Sequence, residues 1–202
     1  MRITDIRPCR KSLSAVYIDG EFAVKLDTRT LLENRVDVGK ELDDEELRGL
    51  ISLSNERRAK EKALWLISYR SHSKKELRDK MRRTCDPDAT EKAVERMEEL
   101  GLVDDESFAR AYAGKLIFEK KMSKRAAVFE LRRKGIDSET AQEVLDEIDV
   151  DYQEQITAVI ARKYPHIEDE KIRRRAVAAL QRLGYGWDDI KAALSSFEES
   201  EY

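Results

Sequence analysis

The chain has 202 residues, with 39 Lys and Arg against 42 Asp and Glu, so 40% of it is charged while the net charge is only −3. That share exceeds the roughly 25% of an average globular domain. With 41% hydrophobic residues, it excludes a disordered acidic tail and leaves room for one domain or two. No run approaches the about 18 consecutive apolar residues of a membrane-spanning helix. The opening MRITDIRPCRKS lacks the apolar stretch of a secretion signal, so a cytoplasmic protein is expected. Cys9 and Cys85 are the only cysteines and form no CxxC pair, which argues against a disulfide framework and a structural metal. The two histidines, His72 and His166, are a thin inventory for acid/base or metal chemistry. Phosphate-loop, dinucleotide, nucleophile-elbow and metalloprotease strings are all absent, leaving only a Ser-His-Asp triad assembled across the fold as an enzymatic residue of doubt. No catalytic residue, metal or cofactor is assigned.

The first elements are strands. Val16 and Ile18 alternate on one side of Asp19-Gly20, and Phe22, Val24 and Leu26 on the other, the signal for a two-residue type I′ hairpin. Ile3 and Ile6 open a third short strand before Pro8, giving a small antiparallel sheet over residues 1–27. A short helix follows at 28–35. Asp43 or Asp44 then caps a helix carrying Leu47, Leu50, Ile51 and Leu53. This module, taken as residues 1–54, is too small to stand as a separate domain with assurance.

Beyond Asn55 every pattern is helical. Ser73-x-x-Glu76 has capping-box spacing, and Asp86-Pro87 reads as an N-cap followed by proline at the first helical position. Gly101, Gly135 and Gly184 each follow a helical run and suit the left-handed position beyond a helix end. An internal repeat then emerges. SKKELRDKMRRT (73–84) aligns with SKRAAVFELRRK (123–134) and with IRRRAVAALQRL (172–183) at offsets of 50 and 49 residues. Leu77, Ala127 and Ala176 superpose, as do Met81, Leu131 and Leu180, and Arg83, Arg133 and Arg182. Val94 matches Val144 and Ala193, and Gly135-Ile136 falls on Gly184-Tyr185. A period near 50 accommodates three helices, so the fold expected is mainly α: an elongated, solenoid-like tandem array of three three-helix repeats behind the small β-hairpin and helix module. The repeats run over 55–103, 104–149 and 150–202, and the first contains helices at 56–70, 73–84 and 87–100.

Charge follows the same period. Residues 70–83 carry +5, residues 120–134 carry +6 and residues 171–182 carry +5, whereas 86–99, 137–149 and 188–201 carry −4, −6 and −4. A basic stripe attracts phosphate or acidic protein surfaces, and the acidic helices oppose duplex DNA on the other side. The plainer alternative is a set of solvated faces whose charges pair between neighbouring helices. Surface pairs at about 0–1 kcal/mol each give little reason to keep such segregation in register three times. Trp65, Tyr69, Phe108, Tyr112, Phe118, Phe129 and Trp187 sit at helical spacings among aliphatic residues and are expected in the core rather than in a base-stacking platform. His72 is expected as a loop histidine, with a contact role beside Arg70 and Lys74 as the alternative, and Cys85 as a small residue at a helix end.

LISYRSHSKKELRDKM (66–81), LGLVDDESFARAYA (100–113) and ELRRKGID (130–137) together resemble the RecX family of regulatory proteins. The resemblance covers the chain from about residue 59 onward, and the preceding hairpin module is similar to the extension some members carry. The third repeat departs from the pattern: Ile172 replaces the helix-opening serine, and a stretch with Pro165 and His166 replaces the tidy junction.

The resemblance implies a non-enzymatic modulator of RecA, in DNA repair, homologous recombination and the SOS response. It would bind the RecA filament on single-stranded DNA and limit recombinase, ATPase and co-protease activity. The expected contacts are the basic second helices: Arg70, Lys74, Lys75, Arg78, Arg82 and Arg83 in the first repeat, Lys124, Arg125, Arg132, Arg133 and Lys134 in the second, and Arg173, Arg174, Arg175 and Arg182 in the third. Their expected role is electrostatic docking by a monomer that binds single- or double-stranded DNA weakly and touches no membrane. The second hypothesis is an autonomous DNA-binding helical-repeat module, against which the sequence pI of about 5.7 weighs.

Overall fold

Asp19 and Gly20 both adopt positive φ, 51° and 91°, the pair of left-handed residues that a type I′ turn demands. The turn joins β2 (Leu13–Ile18) to β3 (Glu21–Asp27), with Ile18 opposite Glu21. β1 (Ile3–Pro8) pairs antiparallel with the other edge of β2, so the sheet order is β1-β2-β3. This is the three-strand sheet that the alternation predicts. The computed structural model describes residues 1–10 and 12–199, and the last residues of the acidic segment 188–201 therefore lie outside it.

The buried Asp27 closes β3 and caps α1 (Thr28–Glu33) by accepting from the Thr30 N–H. Asp43, rather than Asp44, caps α2 (Asp44–Tyr69) in a reciprocal box with Glu46. Here the structure corrects the expected arrangement: α2 is one helix of 26 residues where the sequence suggests two, with a break near Ser54-Asn55. The polar pair looks like an interruption, yet Ser54 is buried and its Oγ accepts the Asp27 N–H at 2.8 Å. Arg57, next on the same face, bridges Asp27 and Glu33. The first half of α2 thus packs Leu50 against Ile3, Val16, Leu26, Leu31, Val36 and Leu42. Its second half supplies Ala59, Ala63 and Leu66 to a different core.

That second core belongs to the first three-helix bundle, completed by α3 (Lys74–Met81) and α4 (Pro87–Glu99). Ser73 caps α3 by accepting from the Glu76 N–H, and Asp86 caps α4 with Pro87 at its start, as the sequence predicts. Residues 1–103 form one compact unit and residues 104–202 another. In the second unit, α5 (Asp105–Gly114), α6 (Lys124–Arg133) and α7 (Ser138–Asp146) form the second bundle. The third comprises α8 (Tyr152–Lys163), α9 (Glu170–Arg182) and α10 (Trp187–Glu199).

The repeat inferred from spacing is a repeat of buried positions. Leu77, Ala127 and Ala176 are fully buried, as are Met81, Leu131 and Leu180, and Val94, Val144 and Ala193 lie in the three matching cores. Gly101, Gly135 and Gly184 all take positive φ beyond their helices, and the residues after the latter two, Ile136 and Tyr185, are buried. The third bundle replaces the missing serine cap with Asp169, which accepts from the Lys171 and Ile172 N–H groups and starts α9 earlier than its counterparts. A π-helical turn, Lys115–Glu119, extends α5 and is not signalled by the sequence pattern.

Most of the aromatic residues correct the sequence expectation. Phe108 is buried and Tyr112 packs against the second core, as predicted. Trp65, Tyr69, Phe118, Phe129 and Trp187 are instead exposed. Trp65 and Tyr69 pack edge to face on each other outside α2, and Lys62 lies over the Trp65 ring. Among the described residues, no helix is long and apolar enough to cross a membrane.

Candidate partner-binding surface

In the first bundle much of the basic set is engaged within the molecule. Arg78 Nε donates to both oxygens of Glu91 on α4, at 2.7 and 3.0 Å, and Arg82 donates to the same carboxylate at 2.8 Å. These guanidinium groups hold the Glu91 carboxyl below the usual carboxylate range, Arg78 contributing most. Lys74 pairs with Glu98, Lys75 with Asp79, and Arg70 grips Glu76 through two bonds of 2.8 Å. Neighbouring helices therefore do exchange charge here, as the solvated-face alternative requires. Arg83 differs: it is exposed and makes no ion pair among the described residues.

The second and third bundles leave more of the set open. On α6, Arg125 and Arg132 are exposed without ion pairs among the described residues, while Arg133 pairs with Glu130 at 2.6 Å. Lys124 is half-buried, and its backbone N–H donates to the Tyr152 hydroxyl. Lys134 lies over the Tyr112 ring. On α9, Arg174 pairs with Glu170 within the helix, and Arg182 Nε donates to the Ala178 carbonyl. Arg175 is exposed without an ion pair among the described residues, and Arg173 is half-buried. Arg83, Arg133 and Arg182, which coincide in the repeat, are all exposed.

Phe129 joins this surface, although sequence reasoning assigned it to the core. It stands two residues from both Ala127 and Leu131, about 200° around a helix of 3.6 residues per turn, so α6 turns it away from the core those two residues fill. That spacing was the available signal. Arg125 and Arg133 lie four residues to either side of it, on the same helical face. His72 is a loop histidine, as expected, and also takes the contact role beside Arg70. It is buried just ahead of the Ser73 cap, and its Nδ1–H donates to the Arg70 carbonyl at 2.8 Å. Burial and the nearby Arg70 guanidinium hold its pKa below the ordinary histidine value.

Three family models match in tandem: the RecX first three-helix domain over residues 59–97, the second over 104–145 and the third over 149–194. The regulatory protein RecX of Bacillus velezensis is 31% identical over 194 residues, covering 93% of this chain and 72% of that protein. That of Chlorobium phaeobacteroides is 33% identical over 152 residues, covering 73% of this chain and 98% of that protein. A crystal structure of regulatory protein RecX superposes with a TM-score of 0.64 at 17% identity, covering 96% of this chain and 98% of the other, a likeness of fold. Three consecutive domain matches, each falling on a bundle whose buried positions repeat, place this chain in the RecX family of regulatory proteins.

Proposed function

We propose that this chain regulates a RecA filament, docking on it through the second helices of its bundles and limiting recombinase, ATPase and co-protease activity. The observation that carries this reading is the recurrence of exposed arginines at one repeat position, Arg83, Arg133 and Arg182, beside Arg125, Arg132 and Arg175, which make no ion pair among the described residues. A charge with no partner inside the protein retains its attraction for an acidic protein surface or for phosphate. The role is one of binding; no catalytic residue, metal or cofactor is proposed, and the protein acts as a cytoplasmic monomer. The test is RecA ATP hydrolysis on single-stranded DNA with this protein titrated from far below one molecule per RecA. Inhibition at substoichiometric amounts supports filament regulation, and no inhibition at excess and low salt overturns it.

A second reading, direct binding to DNA, is favoured by Phe129. An exposed ring between Arg125 and Arg133 is the pairing of stacking surface and cation that single-stranded nucleic acid uses. Mobility shifts on bare DNA and on RecA-coated DNA separate the two: retardation of bare DNA at equal or lower protein concentration places direct binding first.

A further inference from the structure

Where the second and third bundles meet, Phe118, Lys121, Asp149, Asp151, Glu154 and Gln155 line a cavity of about 250 Å³. Gln155 is only 5% exposed. Its Nε2 donates to the Ile117 carbonyl, while its Oε1 is buried without a hydrogen-bond partner. A buried carboxamide oxygen with two lone pairs and no donor is an unusual thing for a protein to keep. The charges around it are equally unanswered: three carboxylates stand against one ammonium, and none of the four makes an ion pair among the described residues. Asp151 uses Oδ1 to cap α8. Phe118, which lies in the π turn, is exposed at the same cavity.

We propose that this cavity receives the guanidinium of an arginine presented by a partner protein. The deficits are of three kinds, and a guanidinium answers all three. It is cationic and presents five N–H donors in a plane, enough for a carboxylate and the Gln155 carbonyl together, and its flat face stacks on an aromatic ring. A metal ion answers them poorly, because no cluster of carboxylates among the described residues converges on a point. A lysine ammonium, a compact and strongly hydrated point charge, brings three donors instead of five and no flat face to lay on the ring. The site is opposite in sign to the basic helices and does not depend on the filament reading, so either can fail alone.

The experiment is a titration of the full chain, followed in ¹H–¹⁵N spectra, with Nα-acetylarginine amide and separately with Nα-acetyllysine amide. The arginine probe is expected to give saturable shifts at the Gln155 side-chain amide and at the Asp151 and Glu154 backbone amides, with clearly weaker binding of the lysine probe. In the variant carrying Asp149→Asn and Glu154→Gln, two exposed positions at which the fold is expected to tolerate replacement, affinity for the arginine probe is expected to fall about fivefold. Absence of saturable shifts, or equal binding of the two probes, overturns the proposal. Self-association of the chain that this variant abolishes assigns the arginine to a second copy and overturns its assignment to a different protein.

Discussion

Ser123 Oγ donates a 2.8 Å hydrogen bond to the carbonyl of Gly184, tying the start of α6 in the second bundle to the turn after α9 in the third. The same hydroxyl accepts from the Ala126 N–H as the cap of α6, and the Ser123 N–H donates to the Leu183 carbonyl. Gly184 is required twice over. Its φ is +91°, and a Cβ built on it would lie 2.5 Å from the Ala126 Cβ and closer still to Ser123 Oγ.

Gly184→Ala is therefore expected to cost about 2–4 kcal/mol, combining left-handed strain with an overlap that moves one bundle off the other. Gly101 makes the comparison: φ is +66° and a Cβ there meets nothing within 4 Å. Gly101→Ala should cost only the left-handed strain, about 1–2 kcal/mol. Urea denaturation of both variants measures the difference, and equal losses would show that contact across the two bundles contributes nothing.

The Ser123 and Gly184 pair also marks how far the sequence could be read. Both residues stood out, one as a helix start and the other as a helix stop, because capping and left-handed turns are local demands with few residue solutions. The repeat was legible for a similar reason: Met81, Leu131 and Leu180 must be apolar in every copy. That Ser123 reaches Gly184 is a long-range fact that spacing does not carry. The continuity of α2 was hidden because Ser54 looks like a breaker until the Asp27 N–H that needs it is in view. The exposed aromatics were missed because helical spacing shows that residues share a face without saying which face is inward. Trp65 and Tyr69 satisfy i,i+4 spacing against each other, outside the core. The basic set was legible as charge, but that Arg78 and Arg82 are paired depends on where α4 places Glu91, and spacing along the chain does not carry that.

Glu91 gives a pH signature to that pairing. Arg78 and Arg82 depress its folded pKa, so the stability it contributes is fully present above the unfolded carboxylate value of about 4.3 and is lost as pH falls through the lower folded value. The carboxylate is about a third exposed, and water screens the interaction. Glu91→Gln should cost about 1 kcal/mol or less at neutral pH, and the wild-type and variant urea midpoints should converge in acid. A gap that persists at low pH would trace the loss to packing instead of charge.

His72 predicts a second pH dependence at a higher range. Its Nδ1–H serves the Arg70 carbonyl, and protonation would place a new N–H on Nε2, which is buried without a partner. Because burial and Arg70 lower the folded pKa, the unfolded chain binds the proton more readily. The stabilisation is complete above the unfolded value of about 6.5 and declines as pH falls below it. Unfolding midpoints of the wild type should drop on going from about pH 7.5 to about pH 5.5, and His72→Phe should flatten that slope over the same interval. An unchanged slope in the variant would assign the dependence to another group.

Filament docking, finally, should discriminate among arginines that the sequence treats alike. Arg125 and Arg132 have no ion pair among the described residues, so their removal takes charge directly from the proposed interface. Arg78 and Arg82 already share Glu91, and replacing them leaves that carboxylate behind. The double change of Arg125 and Arg132 to Ser should weaken binding to RecA-coated single-stranded DNA and reduce its loss between about 50 and about 200 mM salt. Replacing Arg78 and Arg82 by Ser should lower stability instead, through the lost pairing. Phe129→Ala separates charge from stacking: on bare single-stranded DNA it should cost about 1–3 kcal/mol if a base stacks on the ring, and nothing if α6 meets only protein. Fluorescence anisotropy of labelled oligonucleotide, bare and RecA-coated, reads all three variants. Equal weakening by both arginine pairs would mean that the Glu91 pairing opens on binding and that the paired arginines of the first bundle, not the open arginines alone, form the contact.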